Sequence, residues 1–114
     1  MLDIKTRDAG DITVLDLNGC LVSGLGLESL RPRIEQLVAE RKVNIVLNTK
    51  EVSVIDSAGV GDLVGCFSML KKNGGSLKVA SPAKLVREVL QIARIPTLIE
   101  VFDTEEAALK AFAR

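Results

Sequence analysis

Two hydrophobic periodicities alternate along the chain. Residues 11–18, Asp-Ile-Thr-Val-Leu-Asp-Leu-Asn, set Ile12, Val14 and Leu17 among polar positions, the pattern of a half-buried strand. Residues 3–7 can pair with it across Asp8-Ala9-Gly10-Asp11, a turn-rich tetrad. Gly19 and Ser23-Gly24-Leu25-Gly26 then break the regularity. From Leu27 the spacing changes: Leu27, Leu30, Ile34, Leu37 and Val38 recur at three- and four-residue steps, one face of a helix reaching about Arg41. Pro32 falls inside this run and predicts a helix start near it, with proline in the first turn. Residues 43–47, Val-Asn-Ile-Val-Leu, read as a short buried strand, followed by a loop.

Residues 57–72 return to helical spacing through Val60, Leu63, Val64, Phe67 and Leu70, and Asn73-Gly74-Gly75 ends the run. Leu77, Val79 and Ala80 predict a strand. Ser81-Pro82 opens another helix with Ser81 as N-cap and Pro82 at the first helical position. Its inner stripe is Val86, Val89, Leu90 and Ala93, and Ile95-Pro96 terminates it. Leu98 to Phe102 forms a further strand. Asp103-Thr104-Glu105-Glu106 starts a last helix, with acids in its first turn and Ala108, Leu109 and Phe112 facing inward. The order β-β-α-β-α-β-α-β-α predicts one α/β domain over residues 1–114, with a mainly parallel sheet covered by helices. Sites in such folds gather where strands end at their carboxyl ends, so the loop after Leu47 is the first place to look for function.

Composition narrows the chemistry. The 114 residues are 47% hydrophobic and 26% charged, which argues against disorder. Fifteen basic residues balance fifteen acidic ones, so the basic excess of a direct nucleic-acid binder is missing. There is no histidine, hence no Ser-His or Cys-His nucleophile pair, no imidazole base and no histidine metal ligand. Cys20 and Cys66 form no CxxC pair and read as reduced thiols in or near a core. The chain opens without a signal-peptide pattern and holds no apolar run of membrane-spanning length. The expectation is a cytoplasmic protein without membrane insertion.

The segment able to carry function is Val54-Ile55-Asp56-Ser57-Ala58-Gly59-Val60-Gly61-Asp62-Leu63. One reading is structural: Asp56 or Ser57 caps a helix, and the glycines permit close packing. Yet two glycines in a first helical turn cost roughly 1 kcal/mol each against alanine. A bare backbone is tolerated where something must approach it, and first-turn N–H groups favour an anion. The second reading is therefore an exposed Ser57 that contacts a partner or carries a phosphate. Gly61, Gly65 and Ser68 continue a small-residue stripe suited to docking a protein. Ser57 as a nucleophile lacks a base, and no Ser-x-x-Lys, GxxxxGK[ST] or GxGxxG pattern is present. Asp56 and Asp62 are a poor metal pair at six residues' separation. No metal or cofactor is expected.

The stretch Ile45 to Gly61, with Asp56-Ser57-Ala58-Gly59-Val60-Gly61 at its end, resembles the signature of the STAS domain, most of all the bacterial anti-sigma factor antagonists. Lys72-Asn73-Gly74-Gly75-Ser76-Leu77-Lys78-Val79, Leu85 to Ala93 and Phe102 to Leu109 are similar to further elements of that family, so the likeness spans nearly the whole chain. Two positions depart from the pattern: Thr49 replaces a usual leucine, and Cys20 replaces a usual basic residue. The resemblance implies a STAS fold, a four- to five-stranded, mostly parallel sheet with an N-terminal antiparallel strand and about four helices. It implies a non-enzymatic signalling protein whose unphosphorylated form binds an anti-sigma factor serine kinase and frees the sigma factor. Ser57 matches the family's phosphoacceptor, a PP2C-type phosphatase would reverse the modification, and Asp56, Ser57, Ala58, Gly59, Gly61, Asp62 and Gly65 would form the partner surface of a monomer or weak homodimer. The alternative is a STAS scaffold or transporter-associated subunit in which Ser57 is only a helix cap.

Charge is unevenly placed. Residues 71–94 hold six basic side chains against Glu88 alone, and residues 100–106 hold four acidic ones. These read either as solvated faces or as one basic and one acidic interaction surface.

Overall fold

The computed structural model describes residues 2–22 and 27–113. Five strands, β1 (Leu2–Ala9), β2 (Ile12–Leu21), β3 (Asn44–Ile55), β4 (Ser76–Ala80) and β5 (Val101–Phe102), lie in the order β1-β2-β3-β4-β5. The first pair is antiparallel and the rest are parallel. Four helices, α1 (Leu27–Ala39), α2 (Ser57–Lys72), α3 (Lys84–Ile92) and α4 (Glu105–Phe112), complete the mixed α/β fold.

Strand alternation divides the core. Leu15, Leu17, Ile45, Leu47, Leu77 and Val79 point to one face, where Leu30, Ile34 and Leu37 of α1, Leu63, Cys66 and Leu70 of α2, and Val86 and Leu90 of α3 cover them. Their neighbours Val14, Val46 and Ala80 point to the other face and meet Ala108, Leu109 and Phe112 of α4. Each fully buried aliphatic side chain is worth about 1.5–3 kcal/mol, so the three-helix face holds most of the burial.

Several expectations are corrected. Helix α1 begins at Leu27, so Pro32 sits inside it rather than in its first turn. Strand β3 does not stop at Leu47 but runs twelve residues to Ile55. The polar run Asn48-Thr49-Lys50-Glu51 hides this continuation, yet Thr49 is buried, its hydroxyl donating to the Ala80 carbonyl at 2.9 Å. Strand β2 likewise passes through Gly19, with register shifts beside it. Ser81 does not cap α3: it takes a left-handed φ of 56°, and Ala83 is the N-cap residue. Strand β5 is only two residues long, preceded by a 3-10 turn over Ile95–Thr97. The expected break at 23–26 lies outside the described residues.

Helix α2 matches its predicted range. Its end is set by Gly74 at φ 85° and by the Gly75 N–H donating to the Leu70 carbonyl at 2.8 Å. The first hairpin also forms as read, with Ala9 opposite Ile12 across Gly10-Asp11. Thr104 caps α4 by accepting from the Ala107 N–H at 3.1 Å. Two ion pairs join the charge runs: Lys78 pairs with Glu100, and Arg87 with Asp103 at 2.7 Å.

Candidate functional site

The site lies where β3 ends and α2 begins. Asp56 has an extended backbone, φ −115° and ψ −175°, and its Oδ1 accepts from the Gly59 N–H at 3.0 Å. Aspartate thus supplies the cap that the first turn requires. Its own N–H donates to the Leu21 carbonyl at 3.3 Å, tying the cap to the end of β2. Ser57 is the first helical residue, it is exposed, and its hydroxyl makes no hydrogen bond to a described residue. Of the two residues that the sequence offers as the cap, Asp56 does that work and Ser57 does not.

The two first-turn glycines separate in role. A Cβ on Gly59 would stand 2.1 Å from the Leu21 carbonyl oxygen and 2.8 Å from Ile55 Cγ1. Gly59, expected on the partner surface, is buried where α2 presses on the sheet. Gly61 is exposed, with open space where its Cβ would be. Gly65 lies under the guanidinium of Arg31, whose Nη2 would be 2.0 Å from an added Cβ, so α1 covers this position too. Ala58, Asp56 and Asp62 are half-buried.

Asp62 turns from Ser57 toward α1, 3.4 Å from Arg31 Nη2. Burial holds its carboxyl above the usual range, with Arg31 opposing. Of the two carboxylates near Ser57, one caps the helix and the other faces a guanidinium. Cys66, deeper on α2, has its thiol pushed up to about 11, first by burial and then by Asp62. Both cysteines are free, and no cluster of three metal-ligating side chains occurs among the described residues.

The sequence reading missed a neighbour of Ser57. Val60 of α2, with Val89 and Ile92 of α3 and the following Ala93, joins Ser57 around an open, almost wholly apolar cavity of about 290 Å³. Ile92 is 83% exposed and Leu85 also stands in solvent. Leu85, Val89 and Ile92 recur at i, i+4 and i+7, so a second apolar stripe was present in the sequence beside the buried one. Ala93, expected inside, is exposed because the helix ends there.

A five-stranded sheet of this order, with Asp-Ser-Ala-Gly opening its second helix, defines a known class of domain. Residues 3–108 match the STAS domain model, and the chain belongs to the STAS domain family. It is 30% identical over 108 residues to the anti-sigma-B factor antagonist of Bacillus subtilis, covering 95% of this chain and 89% of that one. In fold it is similar to an anti-sigma factor antagonist from Mycobacterium paratuberculosis, at TM-score 0.89 and 18% identity over 100% of this chain and 96% of that one. It is also similar to the Bacillus cell fate determinant SpoIIAA in its phosphorylated form, at TM-score 0.72 and 23% identity over 96% and 99% of the two chains. Homologues named anti-sigma factor antagonists support a regulatory role of that general kind. Among the described residues no helix is long and apolar enough to cross a membrane.

Proposed function

We propose that this chain is an anti-sigma factor antagonist that acts by partner switching. Unphosphorylated, it binds an anti-sigma factor serine kinase in the bacterial cytoplasm and so releases the sigma factor. Phosphate on Ser57 ends that binding, and a PP2C-type phosphatase restores it. The observation that carries the reading is the exposed Ser57 at the first position of α2, where Asp56 and not Ser57 caps the helix.

The chain acts here as substrate and not as enzyme. Its Ser57 oxygen bonds to the γ-phosphorus of ATP as the bond to the ADP oxygen breaks. The hydroxyl proton passes to a base on the kinase, for this chain has no histidine to take it. The product carries about −1.5 to −2 charges at a helix N-terminus, where the dipole favours an anion. Phosphorylation therefore leaves the fold in place and acts on the partner, through charge and desolvation at the contact.

The test incubates the purified chain with an anti-sigma factor kinase and ATP, and maps the modified residue by mass spectrometry. Ser57→Ala is expected to fold, bind the kinase and remain unlabelled, and Ser57→Asp to bind more weakly. Label on another residue, or full binding by Ser57→Asp, overturns the reading.

A further inference from the structure

We propose that the open edge of the sheet, strand β1, is a contact between two copies of this chain. The two β1 strands pair antiparallel about a two-fold axis at Ile4, and the two sheets join into one. The inference does not depend on the reading of Ser57.

Strand β1 is the outermost strand and pairs with β2 alone. A long bare edge is a template for a further strand, and proline, a bulge or unmatched charge normally guards it. β1 runs eight residues without proline, and its register against β2 is unbroken. The hairpin fixes which main-chain groups face outward. Ala9 stands opposite Ile12 across two residues, and Gly10 takes φ 67°, so Ala9 and Ile12 form a hydrogen-bonded pair. Counting back by twos, Arg7, Lys5 and Asp3 direct their N–H and C=O groups to β2. Those of Leu2, Ile4, Thr6 and Asp8 point outward in the plane of the sheet, and no described backbone group outside β2 bonds to them.

Charge then selects one register. A ladder between two copies needs outward residues opposite outward residues. One such register sets Ile4 against Ile4, Leu2 against Thr6 and Asp3 against Lys5, the last pair occurring on both sides of the axis. It forms about six main-chain hydrogen bonds. A shift by one step sets Asp3 against Asp3 or Lys5 against Lys5, like charges at the closest side-chain positions. A second step sets Lys5 against Arg7. Asp3 and Lys5 are exposed, whereas Arg7 is already paired with Asp16 and Glu105, and Asp8 with Lys42. Ile4 is half-buried, so the contact covers the rest of it. Antiparallel pairing also reverses strand direction between copies. Ser57 follows the carboxyl end of β3, so the two Ser57 residues point to opposite ends of the joined sheet, outside the contact.

A contact of one strand per copy falls below the roughly 1,200 Å² of standard complexes, so the dimer is weak. Sedimentation of the full chain from about 10 µM to about 1 mM is expected to show monomer passing to dimer. Asp3→Lys and Lys5→Asp each set like charges against one another, and each is expected to weaken self-association about tenfold. Mixed together, the two variants regain both opposite-charge pairs and are expected to associate as the parent does. In a Cys20→Ser background, Ile4→Cys is expected to cross-link to its own copy on oxidation, since bonded partners stand about 5.5 Å apart. Thr6→Cys, off the axis, is expected not to.

A chain that stays monomeric up to about 1 mM overturns the proposal. A dimer that both charge variants leave unchanged overturns it as well, because the contact then lies elsewhere. Cross-linking of Thr6→Cys as fast as that of Ile4→Cys places the strands in another register and also overturns it.

Discussion

Gly59→Ala and Gly61→Ala place one methyl group on the same helix two residues apart, and the structure assigns them opposite signs. At position 59 the new carbon would meet the Leu21 carbonyl oxygen at 2.1 Å, where ordinary contact begins at 3.4 Å. The obstacle is backbone, so relief requires the start of α2 to lift from β2. Such overpacking costs about 1–3 kcal/mol. The same carbonyl accepts the Asp56 N–H, so lifting the helix also weakens a hydrogen bond worth about 1 kcal/mol. Alanine's better helix propensity returns about 1 kcal/mol, leaving a net loss of about 2 kcal/mol. In a chain of this length that is a fall of about 8 °C in the thermal midpoint. At position 61 no atom lies within 4 Å of the new carbon. Only the propensity term remains, a gain of about 1 kcal/mol. Urea unfolding followed by circular dichroism reads both values. Equal stabilisation by the two substitutions would refute the reasoning that Gly59 is bare for the sake of Leu21.

Two further outcomes follow from side chains away from the site. Arg7 bonds to Asp16 at 2.6 Å and holds its carboxyl below the usual range, with help from Asn48 and against burial. A depressed folded-state pKa gives stability that is present above the unfolded value near 4 and lost as pH falls through the folded value. The pair is partly exposed, so Asp16→Asn is expected to cost about 0.5–1 kcal/mol at pH 7. In urea unfolding that cost is expected to shrink as pH falls below the unfolded value near 4; a cost that does not change with pH would contradict the ion-pair account. The thiols should also differ. At pH 8 a disulfide reagent is expected to modify Cys20 in the native chain and Cys66 only after denaturation, since Cys66 is buried with a thiol near 11. Rapid native modification of both would contradict the packing of α2.

Local chemistry was the legible part of this sequence. The hairpin turn, the range of α2, the start of the last helix and the strand-helix order all depend on near neighbours, and all were read from spacing. Asp56 and Ser57 were visible as a pair, but the spacing alone left open which one caps. Their roles depend on the extended turn of Asp56 that aims its carboxylate at the Gly59 N–H. The length of β3 was concealed because Thr49, a polar residue, is buried by a hydrogen bond to a strand 31 residues away. The covering of Gly59 and Gly65 needs Leu21 and Arg31, from other elements. The apolar groove joins two helices, so no window of sequence holds both walls. The pairing of Lys78 with Glu100 and of Arg87 with Asp103 crosses from β4 and α3 to the segment around β5, so the charge runs alone did not show it.

The Leu21 carbonyl has two duties at the site. It receives the Asp56 N–H, and it is the wall that only a glycine at 59 can approach. The shape presented at Ser57 is thus written partly in β2, more than thirty residues upstream. A short peptide copying the Asp-Ser-Ala-Gly segment would carry the letters and lose the posture. On the reading offered for Ser57, a modifying enzyme would recognise a conformational epitope and not a linear one, and the unfolded or nascent chain would be silent to it. The signal would then report only on molecules that have already folded.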